Sequence, residues 1–378
     1  MFTKSITLFR ILGFAIKVDL SWLLLAFLIS WSLATGFFPQ QYPGRSAAVY
    51  WFMGIEGAIG LFFSIALHEL GHSLVARLYG IRIKDITLFI FGGVANMEGE
   101  PERPRDEFLM AMAGPVTSGI LAVVFYSLYV GTTSLFGSVA AFEVMGYLAL
   151  LNSILALFNM VPAFPLDGGR ILRAVLWDWK KDLRWATRIA SRMGSAFGFF
   201  LIALGLFSFM SGAVIQGVWW FMIGLFVRSA SAMSYKQLLM RQALEGETVS
   251  RFMQSEVVGV SPDVSVRDFV DAYVYQHHFK TYPVLDGGSL IGVATTRGVK
   301  ALAQEEWDRV TVGEIAEPCS EENCVGPDAD AMEALTLMSR TGRARLLVVE
   351  GGHLLGIVAL KDLMAFFSMK LDLEGATP

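Results

Sequence analysis

The pentad His68-Glu69-Leu70-Gly71-His72 lies within an apolar run, Ala48–Tyr79, and that placement constrains the fold more than any other feature of the chain. Ionisable side chains are costly at membrane depth and are kept there for function. In a helix, residues four apart stand one turn above another on the same face. His68 and His72 can therefore offer two imidazoles to one metal ion, in the His-Glu-x-x-His pattern of zinc proteases. Glu69 is turned about 100° away, within reach of a water on that metal without being a third ligand. Two histidines four apart also arise by chance, but here they are the only histidines ahead of His277.

A hydrocarbon core about 30 Å thick takes roughly 20 apolar residues per helix. Leu20–Phe38, Ala48–Tyr79, Asp106–Thr132, Ser138–Val161 and Met193–Val227 meet that length. The last has no charge over 35 residues. As one helix it would run about 52 Å, so it divides into two around Ser211-Gly212 and Gln216-Gly217, giving six spans. The chain is 54% hydrophobic and 17% charged, more apolar than an ordinary soluble protein. That excess stops near Arg228–Lys236. The reading is a membrane domain over 1–235, a helical linker over 236–247 and a soluble domain over 248–370.

Charge bias sets the orientation. Lys4, Arg10 and Lys17 precede the first span, Arg82, Lys84, Arg103 and Arg105 follow the second, and seven Lys or Arg between Arg170 and Arg192 follow the fourth. Arg228, Lys236 and Arg241 follow the sixth, and the opposite loops carry only Arg45. By the positive-inside rule both termini are cytoplasmic, in a multi-pass protein of the cell membrane. The first span lacks a small-residue cleavage site and reads as a helix, not a signal peptide. A net charge of −4 gives no reason to invoke nucleic acid. Cys319 and Cys324 fit no common zinc spacing and read as a reduced cytosolic pair. Glu56 and Glu143 lie inside spans and receive no catalytic role.

A catalytic zinc wants three protein ligands and an open position. Asp167 is the candidate third ligand, in Asn159-Met160-Val161-Pro162-Ala163-Phe164-Pro165-Leu166-Asp167-Gly168-Gly169. Pro162 and Pro165 must interrupt the fourth helix, and Gly168 and Gly169 permit backbone angles closed to other residues. Broken helices at this depth are tolerated where they line a cavity. Asp167 as a plain helix cap is the alternative.

The pentad, the Asn159-x-x-Pro162-x-x-x-Leu166-Asp167-Gly168 element, Ala113-Gly114-Pro115 and Ile86-Thr87-Leu88-Phe89-Ile90-Phe91-Gly92-Gly93 together resemble the site-2 protease family of intramembrane zinc metalloproteases (peptidase M50 type). The resemblance implies a polytopic α-helical membrane protein with six transmembrane helices and a small membrane-associated β-hairpin. It implies one Zn2+ per subunit on His68, His72 and Asp167, with Glu69 moving the proton between the attacking water and the leaving amine. Asn159 is a candidate oxyanion donor or substrate-backbone contact, or else a helix–helix hydrogen bond. The implied partner is a single-span membrane protein, such as a membrane-tethered transcription-factor precursor or an anti-sigma-type regulator, reached through the lipid bilayer. A substrate helix must unwind to expose its peptide bonds. The segment Ile86–Val94 suits an edge strand that would hold it, or a re-entrant loop that shields the metal.

The soluble part repeats itself. Tyr282–Val293 realigns 64 residues later with Leu346–Ile357, each copy reading as strand, Gly-Gly turn, strand, and following a helix-like segment (Val266–His277 and Ala331–Thr341). This is similar to an α/β tandem of cystathionine β-synthase-like (CBS) domains, with copies at about 248–308 and 309–370, of a kind that binds adenine nucleotides. Nucleotide-binding copies carry Ser/Thr-x-x-Asp after the second strand. Thr295-Thr296-Arg297-Gly298 keeps the hydroxyl and Ala359-Leu360-Lys361-Asp362 keeps the acid. Each is half a site, which places ligand-free docking or homo-oligomerisation through the pair ahead of nucleotide binding. His277, His278 and His353 read as surface residues. Two other readings are a catalytically inactive membrane scaffold and a CBS-regulated transporter subunit.

Overall fold

Among the described residues, six helices are long and apolar enough to cross a membrane: α1 (Leu20–Gln41), α2 (Ala47–Leu78), α3 (Pro104–Phe136), α4 (Ala140–Asn159), α6 (Leu183–Met210) and α7 (Val214–Leu244). Between α4 and α6 lies α5 (Asp167–Lys180), shorter and strongly amphipathic. The computed structural model describes residues 5–89, 92–99, 101–137 and 139–374. Lys4, Ile90, Phe91 and Ser138, which entered the sequence reading, lie outside them. The chain divides into two units, Met1–Lys236 and Gln237–Pro378.

Local chemistry sets the helix ends. Asp19 accepts a hydrogen bond from the Ser21 N–H at 2.9 Å, capping α1. Pro104 occupies the first turn of α3 and is followed by Asp106 and Glu107, where missing N–H groups cost nothing and negative charge meets the helix dipole. The turn 211–213 separates α6 from α7, dividing the long uncharged stretch in two.

The anticipated hairpin is half of a larger sheet. Strands β1 (Ser5–Ile11), β2 (Phe14–Asp19), β3 (Arg82–Phe89) and β4 (Gly92–Glu98) pair in that order. β2 runs parallel to β3, with Ala15 opposite Asp85 and Val18 opposite Leu88. Phe14, Ile16 and Val18 alternate with the less buried Ala15, Lys17 and Asp19 and turn one face inward with Ile86 and Leu88. That face packs on Phe62, Ala66 and Leu70 of α2, a row at four-residue spacing. Asp85 ties three strands together, accepting from Lys17 Nζ at 2.7 Å, Thr87 Oγ1 at 3.0 Å and Asn96 Nδ2 at 2.5 Å. One expectation changes. β3 is an inner strand, so Ile86–Phe89 has no free edge, and among the described residues the open edge belongs to β4, which holds the Gly92–Val94 end of the same segment.

The second unit carries the repeat as two hairpins, β5–β6 (Thr281–Asp286 and Ser289–Thr295) and β8–β9 (Arg345–Glu350 and His353–Ala359), each turning at a Gly-Gly pair with positive φ. A short β7 (Cys324–Val325) joins β8, and α8 (Ala331–Thr341) and α9 (Leu360–Glu374) flank the second hairpin. The copies interlock: Gln254, near the start of the first, bridges Ile357 of the second, and Glu317, near the start of the second, bridges Val293 of the first. In place of Val266–His277 as one α-helix, an α-turn leads into a π-helical stretch over Phe269–Val274. The cysteine reading is overturned. Cys319 and Cys324 form a disulfide across a tight turn, where the Asn323 side chain accepts from the Ser320 N–H at 2.8 Å and donates to Pro318 O at 2.9 Å, bringing the two thiols together.

Glu143, buried in α4, is paired with Arg45, the sole cation anticipated on that side, at 2.7 Å. Replacing Arg45 by Ala strips a buried carboxylate of a charged partner, and we expect a loss of roughly 1–3 kcal/mol. Thermal unfolding in detergent should register it, and Glu143→Leu in the same chain should recover most of the loss.

Candidate metal centre

His68 and His72 are both buried on α2 at 4% exposure, with ring centroids 4.9 Å apart. Facing them is Asp167, the first residue of α5. The link from α4 to α5, residues 160–166, contains Pro162 and Pro165, and α4 ends ahead of both at Asn159. Both Gly168 and Gly169 are helical, which corrects the expectation of unusual backbone angles. Their role is space. A Cβ on Gly169 would lie 2.5 Å from the Ala163 carbonyl carbon, so the first turn of α5 can press against the link that delivers Asp167.

The three side chains meet in one small volume. Nε2 of His68 is 3.1 Å from Asp167 Oδ2, Nε2 of His72 is 3.2 Å from Oδ1, and the two Nε2 atoms are 3.3 Å apart. The outer ring nitrogens fix what these atoms are. His72 Nδ1 lies 2.7 Å from Met110 O; a carbonyl can only accept, so Nδ1 carries the hydrogen, and in the neutral imidazole Nε2 presents a lone pair. His68 Nδ1 lies 2.9 Å from Ser118 Oγ, which can take the same proton. Two imidazole lone pairs and a carboxylate then converge, an arrangement that calls for a cation. Two nitrogens and a carboxylate oxygen are the donors zinc takes at catalytic sites, and hydrogen-bonded outer nitrogens are the usual support for such ligands.

Helix α3 supplies that support. Met110 and Ser118 are on it, and so is Gly114 between them. A Cβ at Gly114 would collide with His72 Nε2 and lie 2.6 Å from His68 Nε2. Glu69, half-buried, shares the turn of α2, and Gly93 of β4 lies over it, with a Cβ there 3.0 Å from the Glu69 carboxyl carbon.

Asn159 is not drawn into the trio. Its side-chain amide donates to Leu155 O at 3.0 Å within its own helix, and among the described residues it makes no helix–helix bond. The interhelical asparagine is Asn152, fully buried, which donates to Ser64 Oγ at 2.9 Å, one turn ahead of His68. Its signal was the four-residue spacing of Ser64 from His68. Ser118 left a fainter one, a hydroxyl beside Thr117 in an otherwise apolar run. Met110 left none, because it acts through its backbone.

Comparison with known proteins places two families on the chain. The description of peptidase family M50 matches residues 56–140 and 134–204, and that of the CBS domain matches 249–303 and 312–368. Rip3 of Mycobacterium tuberculosis, which bears a zinc-metalloprotease name, is 36% identical over 360 residues, 95% of this chain and 91% of its own length. The zinc metalloprotease MJ0392 of Methanocaldococcus jannaschii is 30% identical over 366 residues, 97% of this chain and 96% of its own. A solved structure of a site-2 protease from Methanocaldococcus jannaschii is 32% identical, with a TM-score of 0.42 covering 61% of this chain and 94% of that one.

Gly114→Ala tests the close approach of α3. The added methyl stands where the two Nε2 atoms converge, so we expect purified protein to lose bound metal by elemental analysis while its helical circular dichroism is retained.

Proposed function

This chain belongs to peptidase family M50, and on that footing we propose that it is an intramembrane zinc endopeptidase that cuts a single-span membrane protein in or near its transmembrane segment. The observation that carries the reading is the convergence of His68 Nε2, His72 Nε2 and the Asp167 carboxylate, with ligand atoms within 4.8 Å of one another in a buried site. These three would hold one zinc ion per subunit. Zinc there supplies Lewis acidity, bringing a water's pKa towards about 7 and polarising a peptide carbonyl. Glu69, one residue along α2 from His68, accepts the proton released as water attacks and returns it to the departing amide nitrogen. The hydrogen bonds to Met110 O and Ser118 Oγ keep both imidazoles oriented through that transfer. Asn159, on giving up Leu155, would meet the developing oxyanion or the substrate backbone.

An unwound substrate needs somewhere to lie. The free edge of β4, which covers Glu69 at Gly93, offers main-chain pairing by β-augmentation. In the membrane, pairing of β2 with β3 supports an orientation with the start of α1 and the end of α2 on one side. The cationic loops make that side the cytoplasm, and with six spans both termini lie there, in the cell membrane. Substrates tethered to that membrane, such as transcription-factor precursors or anti-sigma-type regulators, fit the arrangement.

For the CBS pair a specific observation favours a nucleotide over ligand-free docking. A cavity of about 470 Å3 is lined by Thr295, Lys280, Arg297, Arg343, Arg345 and Lys361, opposed by Glu317. Burial pulls the Arg345 guanidinium below its ordinary value, and an incoming anion would relieve that cost. Asp362, the acid that would grip ribose, lies 3.2 Å from Gln254 Nε2. The site therefore suits phosphates better than sugar, and nucleotide bound there would regulate the protease.

Incubated with a panel of single-span substrates, the purified protein should cut within the span. Glu69→Gln should slow cutting about 100- to 10,000-fold, and a zinc chelator should abolish it; cutting that survives both would refute the reading. Calorimetry on the full chain should show ATP binding more tightly than AMP, with Arg343→Ala weakening both. No heat with either ligand would return the pair to docking or oligomerisation.

A further inference from the structure

One face of α3 touches both imidazoles of the metal centre. Met110 O holds His72, Gly114 lies against both Nε2 atoms, and Ser118 holds His68. One turn before Met110 on the same face is Glu107, at 1% exposure, paired with Arg173 of α5, itself at 6%. Arg173 Nε donates to Glu107 Oε1 at 2.6 Å and a terminal guanidinium nitrogen reaches the same oxygen. Above the guanidinium, the Phe164 ring lies 5.1 Å from its centre, within the link that delivers Asp167. So Arg173 grips α3 with its polar edge and the Asp167 link with its flat face.

A buried ion pair is a poor source of stability, since apolar residues of similar volume often do as well or better. What an arginine fork adds is direction, because it fixes the orientation of the carboxylate it binds. We propose that Glu107 and Arg173 are positioning residues for the metal centre, setting α5, and with it Asp167, against the face of α3 that orients the two imidazoles. The proposal rests on the reading of His68, His72 and Asp167 as the metal ligands. They act through the spacing of two helices.

Zinc affinity, read by chelator competition on the full chain in detergent, separates positioning from stability. In Glu107→Leu/Arg173→Met, both charges are removed together. The thermal midpoint of the metal-free protein should stay near that of the parent while zinc affinity falls about 10- to 100-fold, the range for residues that orient metal ligands. Arg173→Lys keeps a buried cation but loses the fork, and it serves if the double variant does not fold; it too should bind zinc more weakly at an unchanged metal-free midpoint. Parental zinc affinity in either folded variant would overturn the proposal, as would a fall in affinity matched by an equal fall in metal-free stability. Asp167→Ala is the control for the underlying reading. If it retains zinc, the ligand assignment fails. If it loses zinc while the Glu107 and Arg173 variants do not, only the positioning role fails.

Discussion

Lone pairs that face one another repel, and the centre of this protein is built on holding three such groups together. Imidazole nitrogens and carboxylate oxygens stand 3.1–3.3 Å apart inside a membrane domain. Each must be braced from behind. Helix α2 gives the imidazoles their spacing, but a spacing of four residues does not choose which ring nitrogen carries hydrogen. The Met110 carbonyl makes that choice for His72 by accepting and never donating. The carboxylate comes from a separate helix, so its approach depends on how α5 is seated. Two glycines let the first turn of α5 close onto the link before it. Much of what surrounds the centre, including Gly114 and the packing of α3, answers this one demand.

Features of short range were legible in the sequence. His68 and His72 announce themselves by spacing, Asp167 by its place after two prolines, and the spans by length and lack of charge. The Gly-Gly turns of the soluble repeat recur in step because each hairpin is a local structure. What escaped notice is what the chain assembles from distant parts. Ser5–Asp19 read as a charged flank because its strand partner, β3, lies beyond two helices. Asn159 drew attention through its motif, yet the interhelical bond belongs to Asn152, whose partner on α2 is far away in sequence. The disulfide escaped because its closure depends on a turn held by Asn323, not on the spacing of the cysteines.

The second unit shows the same division between local and distant. Its copies read as two separate modules, but each borrows a bridge from near the start of the other. Val293 of the first copy accordingly packs with Leu347 and Ile357 of the second. Neither copy is complete without its neighbour, so the cation-lined cavity is a property of the pair. The last turns of α7 belong to the second unit, where Met240 and Leu244 pack in the core of its second copy.

The parallel pairing of β2 with β3 has a meaning for synthesis. A ribosome makes Phe14–Asp19 first, then two helices, and only afterwards the strand beside which β2 must lie. Until Asp85 emerges, Lys17 has no partner in the sheet and the inward face of β2 has nothing beside it. Closing the sheet brings together the beginning of one helix and the end of the next, which requires both to have crossed the membrane. A chain that failed to thread either one would leave these strands on opposite sides of the bilayer. The sheet is thus a receipt for correct threading, issued before the third helix is made.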